Sequence, residues 1–303
     1  MAQWTASDIP SQLGRSAIIT GTGGLGFEGA LALAKAGGEV IIAGRNAEKG
    51  AAAIARIHSE VPFAAVRFEL LDLASLASIK NFGERLRSQR GSLDLLINNA
   101  GVMVPPKRQE TEDGFELQLG TNYLGHFVLT AELMPLLVKG KSPRVVTLSS
   151  IAARNGAISF DDLNAQKSYT PMQVYNQSKL ACLMFAFELQ RHSEANGWGV
   201  TSIAAHPGIS RTDLLHNAPG RRSVIGITRS LLWFMFQPAS QGTLPTLFAA
   251  TSPFAKGGAY YGPDKLGEIR GAPTEAQIPP QALDVEVSVR LWEVSKKLTG
   301  ASL

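Results

Sequence analysis

A chain of 303 residues with 45% hydrophobic and 18% charged side chains has the balance of an ordinary globular fold, and no stretch reaches the ~18 consecutive apolar residues of a membrane span. The net charge is +4, but the 29 lysines and arginines are scattered without an aromatic-interleaved basic patch, which argues against nucleic-acid binding. One cysteine, Cys182, excludes an internal disulfide, five dispersed histidines offer no metal-ligand spacing, and the start MAQWTASDIPSQLGRS lacks the features of a signal peptide, so a cytoplasmic protein without a metal is expected.

Apolar runs at 16–20, 40–43, 64–69, 93–98, 144–149 and 200–206 alternate with helix-like stretches at 27–35, 47–60, 73–89 and 114–137. Strands apolar on both faces and separated by crossover helices predict an α/β fold. The expected architecture is one domain with a doubly wound, Rossmann-type parallel sheet of about seven strands, helices on both faces and ligands at the carboxyl ends of the strands. Residues 14–212 form the expected cofactor-binding and catalytic core, 213–240 a substrate lid, and 241–303 the C-terminal helices, last strand and tail.

The first strand runs into ITGTGGLGFE, where Gly21, Gly23 and Gly26 satisfy G-x-G-x-x-G between a predicted strand and a predicted helix. With Thr22, Gly24 and Leu25 they predict a loop that lets backbone approach a dinucleotide pyrophosphate at a helix N-terminus. The second strand ends in Gly44-Arg45-Asn46, with no acid before Glu48. A carboxylate there would hold a ribose 2′-hydroxyl, whereas a guanidinium pairs with a 2′-phosphate, so NADP(H) is preferred and NAD(H) is the alternative cofactor.

Further on, Tyr175 and Lys179 lie four residues apart in VYNQSKLACLMFAFEL and share one face of a predicted helix. A phenol with an ordinary pKa of about 10 is a poor proton carrier near neutrality. A neighbouring ammonium favours the phenolate, which is what acid–base work at pH 7 needs. Beyond Ser210, SVIGITRSLLWFMF (223–236) is apolar but interrupted by Arg229. Its position allows a lid lined by Leu231, Leu232, Trp233, Phe234 and Phe236, a dimer surface, or an interfacial helix. A last strand at 258–261 and a helix at 285–297 follow, with the Gly/Pro-rich stretch between them read as surface loop.

Together these motifs resemble the classical type of short-chain dehydrogenase/reductase, in its retinol-dehydrogenase-like branch. Asp72-Leu73 follows the third strand and Asn98-Asn99-Ala100-Gly101 ends the fourth. Asn122 lies in LGTNYLGHFVLT, Ser149 and Ser150 close RVVTLSS, and HPGISRT carries Pro207, Gly208 and Thr212. The branch is suggested by LGHFVLT, FDDLN and YNQSKLA. Two departures stand out. The glycine loop is one residue shorter than the family's T-G-x-x-x-G-x-G, and Ser150 and Tyr175 are 25 residues apart, a long interval.

The resemblance implies that Asp72 and Leu73 contact adenine, and that Asn99, Ala100 and Gly101 line the cofactor. It makes Tyr175 the acid/base and Lys179 the residue that lowers its pKa and binds the nicotinamide ribose. Ser150 is favoured over Ser149 to steady the substrate oxygen, Asn122 joins Lys179 to a water chain, and Thr212, beside Pro207 and Gly208, holds the nicotinamide carboxamide. The implied substrate is a small apolar alcohol, ketone or aldehyde. Helices around 114–137 and 173–192 offer a surface for a homo-oligomer.

Two other functions use the same motifs. A non-catalytic dinucleotide-binding regulator would suit the short loop but leaves the Ser–Asn–Tyr–Lys set unexplained, and lyase or epimerase chemistry occurs on similar folds. No G-x-S-x-G elbow supports a hydrolase. Met172, Met184 and Met235 are read as packing residues, Cys182 as a buried thiol and His206 as a structural residue beside a turn.

Overall fold

In a computed structural model, residues 3–210 and 237–303 are described, and 211–236, which include Thr212 and the candidate lid, lie outside that description. The strands are β1 (Ser16–Thr20), β2 (Glu39–Gly44), β3 (Val66–Leu70), β4 (Leu95–Asn98), β5 (Arg144–Leu148), β6 (Thr201–Ala205), β7 (Tyr260–Lys265) and β8 (Arg270–Glu275). They form one sheet in the order β3-β2-β1-β4-β5-β6-β7-β8, in which β1 to β7 pair in parallel and β8 pairs antiparallel with β7. The strand order reverses between β1 and β4, which places the ligand crevice there.

Side-chain alternation shows why both faces are covered. Ile18, Ile41, Leu96 and Val145 enter one apolar cluster, while Ile19, Ile42, Ile97 and Val146 enter the other. Helices α1 (Gly24–Lys35) and α2 (Ala47–Glu60) contribute to the second cluster, and α3 (Leu76–Gln89), α4 (Gly125–Leu137) and α5 (Pro171–Asn196) to the first. Local chemistry sets the helix ends. Asn46 caps α2 by accepting from Lys49 N, Ser75 caps α3 by accepting from Ser78 N, and α5 begins at Pro171 and stops at left-handed Gly197 (φ 64°).

Three elements differ from the sequence expectation. The helix expected from 114 has Gly114 in a left-handed turn (φ 79°) and opens as a π-helical segment, Leu119–Leu124, which leads into α4. The stretch read as surface loop contains β8, an eighth strand. Gly271 and Pro273 hide it, because neither favours a strand interior, and both are tolerated here at the sheet edge, where Pro263 faces Pro273 beside a register irregularity. Finally, α5 is buried on every side from Val174 to Leu189, between the sheet and the C-terminal helix Val285–Thr299. A helix buried all round carries no amphipathic signature.

Candidate functional site

The glycine loop leaves β1 at Thr20, and Gly21 N donates to Ala43 O at 2.8 Å. Gly21 has φ 100°, and a Cβ on Gly26 would lie 2.3 Å from Gly21 O, so the turn closes only with glycine at both places. One residue short of the family pattern, the loop still delivers the chain to α1. Gly23 is the extended N-cap and Gly24 the first helical residue, and no side chain caps the amides of the first turn. Uncapped amides at a helix start suit an anion, and the absence of Cβ atoms lets it approach. The cradle therefore fits the phosphates of a dinucleotide.

Thr20 ties this loop to the next strand. Its Oγ1 accepts from Asn99 N and Ala100 N, both at 2.9 Å, and Thr20 O accepts from Asn99 Nδ2 at 2.6 Å. His126 Nε2 lies 2.9 Å from the same hydroxyl, and His126 Nδ1 lies 2.9 Å from Asn122 O. A carbonyl only accepts, so Nδ1 carries the proton and Nε2 accepts from the Thr20 hydroxyl, giving that hydroxyl one donated and two accepted bonds. Complete burial pushes the His126 pKa down to about 4, which keeps the ring neutral and this arrangement intact.

Asn122 lies in the π-helical segment. Its Oδ1 accepts from Val102 N at 2.7 Å, and its Nδ2 donates to Val102 O and to Ser178 Oγ, both at 3.0 Å. Its carbonyl also accepts from the Cys182 thiol at 3.1 Å. That cysteine is buried, and burial raises its pKa, as expected of an unreactive thiol. Lys179 Nζ donates to Leu148 O at 3.1 Å, while Ser149 Oγ fixes the lysine backbone by donating to Lys179 O at 2.7 Å. A Cβ on Gly101 would stand 3.0 Å from Asn122 Oδ1 and 3.6 Å from Lys179 Nζ, so this glycine admits both side chains. Ser150 is the N-cap of the 3-10 turn Ile151–Asn155, and its Oγ accepts from Ala152 N at 3.2 Å. Among the described residues its hydroxyl proton has no acceptor.

A cavity of about 550 Å³ brings these parts together. It is lined by Gly21, Thr22, Gly23, Gly24 and Leu25 at one end, by Asn99, Ala100 and Gly101 along the floor, and by Ser150, Tyr175, Lys179, Pro207 and Gly208 at the other. Asn122 does not line the cavity; it lies against Gly101, which does, and is bonded to Val102, between the lining residues Gly101 and Met103. Gly26 serves loop closure, not the lining. Asp72 and Leu73 lie outside the cavity. Asp72 accepts from Ala74 N at 2.9 Å, and the Leu73 side chain is part of the core. Arg45 and Asn46 are exposed just past β2, with Asn46 spent as the cap of α2.

Three features were not legible beforehand. Lys49 lines the cavity beside Thr22 and Gly23, one helical turn beyond Arg45. It looked like any solvated lysine of α2, and only its distance from the strand end hinted otherwise. Met103, Ile151, Met172 and Ile209 make the rest of the wall apolar, so Met172 does more than pack. The long serine-to-tyrosine interval folds as a self-capped loop, in which Asp162 accepts from the backbone N of Gln166, Lys167 and Ser168. Among the described residues no His/Cys/Asp/Glu group could hold a metal.

Residues 15–222 match the model of a family described as short chain dehydrogenase. The chain is 40% identical over 299 residues to mouse retinol dehydrogenase 13, covering 96% of this chain and 85% of that protein. It is 39% identical over 300 residues to mouse polyprenol dehydrogenase, covering 97% and 86%. A crystal structure of an uncharacterized protein from Mycobacterium paratuberculosis superposes with a TM-score of 0.83 at 37% identity, over 99% of both chains.

Proposed function

This chain belongs to the short-chain dehydrogenase/reductase family, in its retinol-dehydrogenase-like branch, and we propose that it transfers hydride between NADP(H) and an apolar alcohol, aldehyde or ketone. The observation that carries this reading is the single cavity in which Ser150, Tyr175 and Lys179 face the glycine cradle. When bound, the dinucleotide supplies the hydride-carrying nicotinamide. The chain's own residues do the rest.

In the reductive direction the Tyr175 hydroxyl delivers a proton to the substrate oxygen, and in the oxidative direction it removes one. The Ser150 hydroxyl, oriented by Ala152 N, donates to the same oxygen and stabilises the charge that develops there. Lys179 supplies positive charge beside Tyr175 and, with Asn122 behind it, a route for protons away from the site. Apolar walls from Met103, Ile151, Met172 and Ile209 select a hydrophobic substrate. Relatives named for retinol and polyprenol, both apolar alcohols, support that selection.

The NADP(H) preference rests on Arg45 and on Lys49, whose cations stand where a ribose-binding acid is absent. The test is consumption of NADPH and NADH with a panel of apolar aldehydes and ketones. Arg45→Ala and Lys49→Ala are each expected to raise KM for NADPH by roughly tenfold and to leave NADH nearly unchanged. Equal effects on both cofactors would rule out recognition of a 2′-phosphate by these two residues.

A further inference from the structure

Directly behind the Pro207–Gly208 end of the cavity is a partly buried polar cluster that the reaction chemistry does not use. His206, the residue before that turn, is fully buried. Its Nδ1 accepts from Gly208 N at 3.2 Å, and its Nε2 lies 2.9 Å from Glu268 Oε2. The amide can only donate, so Nδ1 is unprotonated and Nε2–H donates to the carboxylate. The same Glu268 oxygen pairs with Arg154 Nη2 at 2.5 Å, and its other oxygen accepts from Gln277 N at 2.8 Å. Arg154 belongs to the short 3-10 turn that Ser150 caps. A second link runs in parallel. Tyr260 packs against the His206 ring with centroids 5.0 Å apart, and its hydroxyl donates to Ser150 O at 3.3 Å.

The backbone around this cluster is held in place at some cost. Leu266, Gly267 and Glu268, at the tip of the β7–β8 hairpin, are consecutive left-handed residues with φ 53°, 65° and 70°. Non-glycine residues enter that region only where surrounding contacts impose it. Gly208 is left-handed too (φ 61°), and a Cβ there would lie 2.2 Å from Ile269 O. On Gly262 a Cβ would meet His206 Nε2 at 2.0 Å. The hairpin, the turn and the serine loop are thus fitted to one imidazole.

We propose that His206, Glu268 and Arg154 are positioning residues that hold the Pro207–Gly208 turn and Ser150 in a fixed relation to each other at one end of the cofactor cavity, with His206 in its Nε2–H tautomer. None of the three touches the reacting atoms. The cluster joins the wall expected beside the nicotinamide to the residue that steadies the substrate oxygen, so cofactor binding and serine placement are coupled through one carboxylate. This rests on the dinucleotide occupying the cavity, whichever dinucleotide it is, and not on the identity of the substrate.

The test uses the full chain and reads cofactor affinity by calorimetry with NADPH and with NADH. His206→Phe is expected to weaken whichever dinucleotide binds by roughly tenfold, because Gly208 N loses its acceptor. His206→Asn, whose Oδ1 can still accept from Gly208 N, is expected to stay within roughly threefold of the parent. Arg154→Gln combined with His206→Phe should be non-additive in dissociation constant, since both act through Glu268. Nitrogen-15 NMR of the unaltered protein is expected to place the His206 proton on Nε2, a readout independent of whether His206→Phe folds. A proton on Nδ1, parental affinity in folded His206→Phe, or strict additivity in the double variant would each overturn the assignment. Absence of turnover with every carbonyl compound, alongside the expected affinities, would strike the proposed reaction and leave the positioning role standing.

Discussion

At the residue scale, His126 shows how far the site depends on a group that lines no part of the cavity. It joins the hydroxyl organising the glycine loop to the carbonyl of Asn122, and it does so only while neutral. Burial holds its pKa near 4, against about 6.5 for a free imidazole, and burial lowers that of His206 as well. Both rings therefore bind protons less readily in the folded chain than in the unfolded one. Stability is full above the unfolded value near 6.5 and falls with acidification towards the folded value. For His126 the loss by pH 4 is about 3 kcal/mol. Urea denaturation between pH 8 and pH 4 is expected to show this decline and a shallower slope in His126→Gln; a flat profile in the parent would contradict it. Tyr175, Lys179 and Ser150, which line one cavity, could be put forward from sequence because spacing and order single them out. His126 stood equally plainly in LGHFVLT, but nothing in a sequence reveals that its ring nitrogens meet Thr20 and Asn122. Lys49 was invisible for a related reason, since only the fold decides which side chains of a solvated helix turn face a cavity.

At the scale of elements, the alternation of apolar runs and helices was enough to place six strands, because strands buried on both faces are continuous in sequence, and the run at 258–261 added a seventh beyond it. The eighth was lost because an edge strand needs no such run. The loop after β4 is another case. Val104 is left-handed (φ 52°), an unfavourable state for a β-branched residue, and its N donates to Gln118 Oε1 at 2.8 Å while Gln118 Nε2 donates to Pro171 O at 3.1 Å. One buried amide thereby joins the loop carrying Met103 to the start of the helix carrying Tyr175. Gln118→Ala is expected to cost about 1–3 kcal/mol in chemical denaturation and to raise substrate KM more than cofactor KM. An unchanged unfolding midpoint would show that the loop is held by something else.

At the scale of the whole molecule, the C-terminal helix decides what α4 and α5 present to solvent. Trp292 is 2% exposed, stacks on Phe185 and His192 and meets Phe127 edge-on. Tyr123 and Ser295 join their hydroxyls at 2.7 Å beneath it. This helix covers part of the surface that the sequence offered for self-association, which no local pattern could reveal because the contact spans more than a hundred residues of chain. Trp292→Ala is expected to destabilise the fold by about 3–5 kcal/mol, read from the denaturation midpoint, and a loss under 1 kcal/mol would mean the helix is not integral to the core.

In the proposed reaction Tyr175 carries the proton that accompanies hydride transfer. Its most direct test is deuteride transfer from 4-deuterated NADPH to an apolar aldehyde, followed by mass analysis of the alcohol, in the parent and in Tyr175→Phe with cofactor binding measured beside it. Deuterated alcohol is expected from the parent, with a fall of at least about a hundredfold in the variant and a cofactor dissociation constant within roughly threefold. Deuterated alcohol formed by Tyr175→Phe at the parental rate would contradict that role of Tyr175.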